Sequence, residues 1–274
     1  MKQIIITTIL LILTISCSMK NEKLNDLDKL NLKGNVKLLT ISEFEALKKF
    51  GEIVEGKNQG FRNSTIKFNE DGNIVELHNC MIFDENFFNS FYLQVIGTKK
   101  YSYDGIKLKE QNYYDTNGDL VSRWKYSYDK NGNITEEILY DNNGIEKYKY
   151  ENEYDNRNNL IETLQYSENS IEYRHSYSYD SENKKIKYFR TNYVTNEVYI
   201  NNTYTYDAKD KLSEIKSRTG VIEKFENGNK VQLKNSENNY TYEYKFDEND
   251  NWIKMIEYEN EKPIRITKRE IEYN

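Results

Sequence analysis

"YSYDKNGNITEEILYDNNG", residues 126–144, holds two aromatic-aspartate pairs, Tyr128-Asp129 and Tyr140-Asp141, and each is soon followed by Asn-Gly. In Asp129-Lys130-Asn131-Gly132, the order Asp, x, Asn, Gly suits a type I turn whose glycine takes the left-handed conformation and opens a G1 bulge. Asp141-Asn142-Asn143-Gly144 repeats it. Before the first turn the chain alternates by two. Trp124, Tyr126 and Tyr128 share one side, and Arg123, Lys125 and Ser127 share the other, which is the period of a strand. Between the turns, Ile134, Ile138 and Tyr140 are set against Thr135, Glu137 and Leu139, giving an aliphatic side able to pack on aromatic neighbours across a ladder. The stretch reads as strand, turn, strand, turn.

The punctuation recurs along the chain. Aromatic-aspartate pairs fall at Tyr103, Tyr128, Tyr154, Tyr179, Tyr206 and Phe246, with successive spacings of 25, 26, 25, 27 and 40, the last divided at Phe225-Glu226. Asn69 to Gly72 and Asp115 to Gly118 repeat the turn chemistry. Asp155 to Asn159 and Asp247 to Asn251 lack glycine, and there asparagine is expected to take the left-handed position. Aromatic stripes return at Tyr148, Tyr150 and Tyr154, at Tyr173, His175, Tyr177 and Tyr179, and at Tyr240, Tyr242, Tyr244 and Phe246. Asn, Gly and β-branched residues at this density disfavour helix. Residues 34–274 are therefore expected to be all-β, a repetitive antiparallel hairpin meander forming one twisted, curling sheet, half-wrapped and open. A closed, barrel-like sheet is the alternative. The first strand is expected from Val36 to Leu47, turning at Lys49-Phe50-Gly51 into Glu52 to Glu55. A Phe-rich insertion at about 81–97 breaks the rhythm.

Residues 1–17 have the profile of an export signal. Lys2 supplies the positive end, and Ile4 to Ile15 is an apolar and threonine run of twelve, short of the roughly 20 residues of a spanning helix. Leu13, Thr14, Ile15, Ser16 and Cys17 resemble the lipobox of bacterial lipoproteins, with Thr14 where leucine is usual. That resemblance implies lipid attachment at Cys17 and location in the cell envelope at the outer membrane of a diderm bacterium; residues 18–33 have no strand pattern and read as a tether with a helical turn near Leu24 to Leu30. Ser18 follows the cysteine, where an inner-membrane retention signal would place aspartate.

The units Tyr128 to Asn133 and Phe246 to Asn251 resemble YD-repeats of the Rhs-like class, over roughly Thr65 to Tyr273. The closing run from Asn251 to Tyr273 is similar to the ends of short YD-repeat lipoproteins. The motif implies architecture and brings no catalytic residues. Large relatives build a shell around a toxic cargo; this chain lacks their length and any cargo domain, so encapsulation is not implied.

Little else in the sequence carries chemistry. With Cys17 acylated, Cys80 is the one remaining thiol, so no intramolecular disulfide framework is expected. A net charge of -6 without basic, aromatic-interleaved runs argues against nucleic acid. His78 and Cys80 would share a strand face, but His175 is the only other histidine, and neither a metal nor a cofactor is expected. Asp129 to Asn133 departs from a calcium loop, having Gly132 fourth and Tyr140 at the twelfth place. No nucleophile elbow or phosphate loop is present, so an enzyme is not expected.

What remains is the aromatic side: Trp124, Tyr126, Tyr128, Tyr148, Tyr150, Tyr177 and Tyr242. Such rings stack on sugars or anchor protein interfaces, or simply fill space over their own sheet. The expected function is a membrane-anchored lipoprotein acting as a non-enzymatic binding module for a protein or glycan. Alternatives are an immunity or scaffold component beside a toxin or secretion system, and a hydrolase of surface polymers.

Overall fold

Each Asp-led turn closes on its own side chain. At the first, Gly132 N donates to Asp129 O at 3.0 Å and Asp129 N to Asn133 O at 2.9 Å, while Asp129 Oδ1 accepts from Asn131 N and Asn133 N, both at 2.8 Å. Asp155, Asp180, Asp207 and Asp247 accept in the same way from the second and fourth residues after them. The left-handed position is taken by Gly132 (φ 78), Asn158 (φ 62), Asn183 (φ 67), Asp210 (φ 63) and Asp250 (φ 59). In the 247–251 turn aspartate, not the expected asparagine, fills that place.

A computed structural model describes residues 24–59, 63–78 and 97–274. The signal segment 1–17, Cys17, the first part of the tether, Cys80 and the Phe-rich insertion as far as residue 96 lie outside the described residues.

After a short helix, α1 (Asp26–Lys29), come β1 (Val36–Lys49), β2 (Glu52–Asn58), β3 (Ser64–Phe68), β4 (Ile74–His78), β5 (Thr98–Asp104) and β6 (Lys107–Tyr114). Then follow β7 (Leu120–Tyr128), β8 (Ile134–Asp141), β9 (Glu146–Tyr154), β10 (Leu160–Ser167), β11 (Ser170–Tyr179), β12 (Lys185–Asn192) and β13 (Val198–Tyr206). The last are β14 (Leu212–Ser217), β15 (Ile222–Glu226), β16 (Asn229–Lys234), β17 (Asn239–Phe246), β18 (Trp252–Glu259) and β19 (Lys262–Tyr273). The expected β1, its turn and its return strand all form, as does a helical turn between Leu24 and Leu30.

The meander closes on itself. On one side β1 pairs antiparallel with β19, from Val36 opposite Tyr273 to Glu45 opposite Arg265. Its other side is divided between β3, at Leu38 to Ile41, and the hairpin partner β2, at Phe44 to Lys49. With β3 to β19 joined in sequence order, 18 strands make a ring and β2 stands outside it. The open sheet expected first is thus corrected to the closed alternative. The cause lies in the turns: register shifts fall at Tyr103, Tyr128, Tyr179, Tyr206 and Phe246, and each bulge adds local twist. So many twisted strands curl, and closure removes two unpaired edges.

Residues 25–33 lie across one rim. Asp26 Oδ2 accepts from Ile74 N at 2.8 Å, Asn31 Nδ2 donates to Asn227 O at 3.1 Å, and Lys33 N donates to Asn251 Oδ1 at 2.8 Å. A Cβ on Gly72 would stand 2.5 Å from Asn25 Nδ2, so the turn beneath the segment needs glycine for the approach as well as for its φ of 77. From this segment Leu27 and Leu32 pack with Val36, Leu39, Ile66 and Phe68 into the main apolar cluster, flanked by Ile41, Leu77 and Ile271.

In the pairs at Tyr128, Tyr154, Tyr179 and Tyr206 the tyrosine clamps its unit to the one before. Tyr128 Oη donates to Leu108 O at 2.6 Å, Tyr154 to Ile134 O at 2.8 Å, Tyr179 to Leu160 O at 2.9 Å and Tyr206 to Lys185 O at 3.0 Å. Each accepting carbonyl belongs to one of the first two residues after the preceding turn. Aspartate closes a turn and tyrosine ties it to its neighbour, which is the physical content of the repeat. Tyr154→Phe is expected to cost about 1 kcal/mol, read as a lower urea midpoint with unchanged slope; no change would show that the clamp is decorative.

Candidate functional site

Directly opposed residues on neighbouring strands share a face, so partners can be followed around the ring. Leu39, in the apolar cluster, faces Ile66; Ile66 faces Leu77, and Leu77 faces Lys99. Two residues on, Tyr101 faces Gln111, which faces Trp124; Trp124 faces Leu139, and Leu139 faces Tyr148. The aromatic stripes are therefore on the inner face. The outer face of the same strands carries Lys125, Lys149, Glu151 and Arg174 at mid-strand, with Lys149 Nζ 2.8 Å from Glu151 and Arg174 Nε 3.1 Å from Glu162. A lipid-facing barrel wall needs an apolar band about 25 Å tall; charges at this height suit water.

The sequence-derived binding face is brought together in part. Trp124, Tyr126, Tyr148 and Tyr150 form one patch across β7 to β9, with the Trp124 and Tyr150 rings 5.8 Å apart and tilted by 35°. Tyr128 joins them at the rim, its hydroxyl engaged by the clamp. Tyr177 lies further around the same arc, stacked on Tyr188 at 5.2 Å. Tyr242 is on another arc, opposite Glu257. Phe246, at the end of its stripe, is 44% exposed.

Polar groups that the stripes did not announce sit among the rings. Glu137 faces both Tyr126 and Tyr150, so the aliphatic side expected for β8 is corrected. Ile138 faces Lys125 and Lys149 outside, because the turn bulge shifts the register by one. Burial pushes the Glu137 carboxyl up, partly offset by Asn152 Nδ2, which donates to it at 3.2 Å. Asn152 in turn accepts from Thr163 Oγ1 at 2.7 Å. Gln165, 2% exposed, pairs through Oε1 with His175 Nε2 at 3.2 Å, while His175 Nδ1 meets Tyr188 Oη at 2.9 Å. Burial, then the Arg190 charge, lowers His175 to about 4, so it is neutral at pH 7.

Two cations on β12 belong to this arc. The Arg190 guanidinium lies 3.9 Å from the Tyr173 ring centre, opposite His175. Lys185 Nζ lies 4.4 Å from the Tyr204 ring centre and 5.9 Å from that of Tyr177. Burial lowers it to about 8. Elsewhere on the inner face two cations are neutralised, Arg265 held between Glu43 (3.7 Å) and Glu257 (3.3 Å) and Lys230 paired with Glu223, whereas Arg269 has its Nε and Nη1 buried without a hydrogen-bond partner. Arg269 stacks on Trp252 at 3.5 Å. Among the described residues, no group of three or more His, Cys, Asp or Glu is arranged to hold a metal, and His78 Nδ1 meets Thr98 Oγ1 at 3.0 Å.

No protein-family model matches the sequence, and neither does any curated protein. Among solved structures the chain is similar to a porin-like protein from Bacteroides uniformis, with TM-score 0.46 and 11% identity over 88% of this chain and 99% of that one. It is also similar to a TcdB2-TccC3-Cdc42 structure (TM-score 0.24, 17% identity, 74% of this chain). A Photorhabdus luminescens Tc holotoxin pore gives TM-score 0.23 and 17% identity over 75% of this chain. The chain spans 12% of the length of each of these last two.

Proposed function

We propose that the protein is a non-enzymatic binding barrel of the cell envelope, held at a membrane surface through Cys17, which takes a saccharide chain against its aromatic inner wall. The observation that carries this reading is the inward placement of Trp124, Tyr126, Tyr148 and Tyr150 as one contiguous patch beside Glu137 and Asn152. Flat rings for sugar faces, with an acceptor and an amide among them, are the donor set a saccharide needs. A globular protein partner is disfavoured, because a face turned into a ring of strands admits a chain more readily than a domain. The charged outer wall supports a barrel standing in water. Among the described residues, 25–33 cross the rim that carries the turns led by Asp129, Asp155, Asp180 and Asp207, so entry is assigned to the opposite rim. Glu137 faces tyrosines on both sides, and the pair of carboxylates that glycoside hydrolysis uses is not among its cross-strand partners, which favours binding over turnover.

The test is titration calorimetry of the acyl-free protein with hexasaccharides of several linkages, together with a variant replacing Trp124, Tyr126, Tyr148 and Tyr150 by serine. Binding by the native protein and its loss in a variant that keeps its β-sheet circular dichroism is the expected result. Equal binding by both would remove this patch from the function, and no binding of any hexasaccharide would sink the reading.

A further inference from the structure

Among the described residues, the inner wall of β11 to β13 holds two cations with no carboxylate paired to them. Arg190 Nε is shielded from solvent and has no hydrogen-bond partner. At Lys185 burial is the one acting cause, with no carboxylate contributing. Register explains why both point inward: Tyr179 faces Lys185, Tyr177 faces Tyr188 and His175 faces Arg190, with the turn bulge absorbing the odd residue between Lys185 and Tyr188. On this arc the cations alternate with rings, Arg190 on Tyr173 and Lys185 on Tyr204. The nearby histidine is neutral; of the acidic residues of β10 and β11, Glu162 is on a strand position of the opposite parity to Gln165, and the Glu172 carboxylate is engaged by the Tyr173 hydroxyl.

Buried charges are ordinarily paired, because an uncompensated one costs several kcal/mol. Arg265 and Lys230 obey this elsewhere on the inner wall, while Arg269, like Arg190, lies on a ring without a carboxylate partner. A guanidinium laid flat on a ring keeps its N–H edge available for a carboxylate, to which its fork geometry is matched. Resting on the saccharide reading above, we infer that the β12 arc is the acidic subsite of that site, where Arg190 and Lys185 bind carboxylates of a uronate-bearing chain whose sugar faces stack on the neighbouring tyrosines.

The position of Lys185 gives the subsite a pH signature. The groups facing it are Tyr177 and Tyr179 on β11, Tyr204 and Tyr206 on β13, and Tyr188 on its own strand. At the adjoining turns lie Asp180 and Lys184, the latter paired with Glu182 and Asp210 at 2.5 Å. Burial raises Tyr179, Tyr204 (to about 12) and Tyr206, so these three stay neutral where Lys185 loses its proton. Binding of an acidic chain should therefore weaken as pH rises through 8.

The experiment is calorimetry at pH 7 and pH 9 with uronate hexasaccharides, namely galacturonate, mannuronate and alternating glucuronate and N-acetylglucosamine, each beside its own methyl ester. At least one acid should bind tenfold or more tighter than its ester at pH 7. That preference should shrink at pH 9, fall at least tenfold in Arg190→Gln, and fall again in Lys185→Met, with the ester unaffected. Acid and ester binding alike would overturn the acidic subsite and leave the saccharide reading standing; binding of neither would overturn both. Lys185→Met is expected to fold at least as well as the native chain, so loss of preference there cannot be put down to unfolding.

Discussion

Leu39→Ala should lower the free energy of unfolding by roughly 2–5 kcal/mol, the usual range for emptying a leucine-sized space in a core. Leu39 is 0% exposed and is the point where three parts of the chain meet. Its strand joins β19 through Ile271 and β3 through Ile66, and its side chain lies under Leu27 and Leu32. The void cannot collapse easily, because hydrogen-bonded strands flank it on both sides. Urea unfolding measures the loss, and limited proteolysis between Asn25 and Lys33 should quicken as the segment loses its seat. A change under 1 kcal/mol would mean that the rim segment is not packed as described.

Lys185→Met should do the opposite, raising stability at pH 7 by on the order of 1–3 kcal/mol. The sign follows from the proton. Lys185 titrates near 8 in the folded protein against an ordinary 10.5, so the unfolded chain binds that proton more tightly. Stability from this group is fully present above 10.5, declines as pH falls from there towards 8, and stays low below it. Methionine carries no charge to desolvate and offers a polarisable sulfur to the rings of Tyr204 and Tyr177. The gain should shrink as pH is raised from 7 to 9.5. A destabilised variant, or a gain independent of pH, would show that Lys185 already has its counter-charge. A residue that costs the fold this much, and whose removal should improve it, fits one retained for a ligand.

The strands and turns were readable because their signals are local. Asp129 to Gly132 specifies its turn in four residues, and Tyr126 and Tyr128 announce a strand face by simple alternation. Closure was harder to read. Nothing near Val36 says that Tyr273 lies beside it, and the outcome depends on small increments of twist summed over many bulges. The aromatic patch was legible as rings, since Trp124 and Tyr126, and Tyr148 and Tyr150, sit two apart on their strands. Its polar members were not. Glu137 and Lys185 lie just beyond bulges that move each by one position, so parity counted from the wrong side of the turn puts them outdoors. Arg190 carried no signal in its own strand at all; only its partners His175 and Tyr173, both in a quoted stripe, could have drawn attention to it.

Of the described strands, the one that seals the ring, β1, is the first in chain order, and its partner β19 is the last. Every other pairing among the described strands joins near neighbours, so hairpins can zip one after another while β1 waits with one side unmatched for almost the whole length of synthesis. During that interval the β19 of a second copy offers the same hydrogen bonds as the chain's own. Slow delivery or loss of β19 would therefore favour exchange of closing strands between molecules, and closure within one molecule depends on its own β1 and β19 finding each other first.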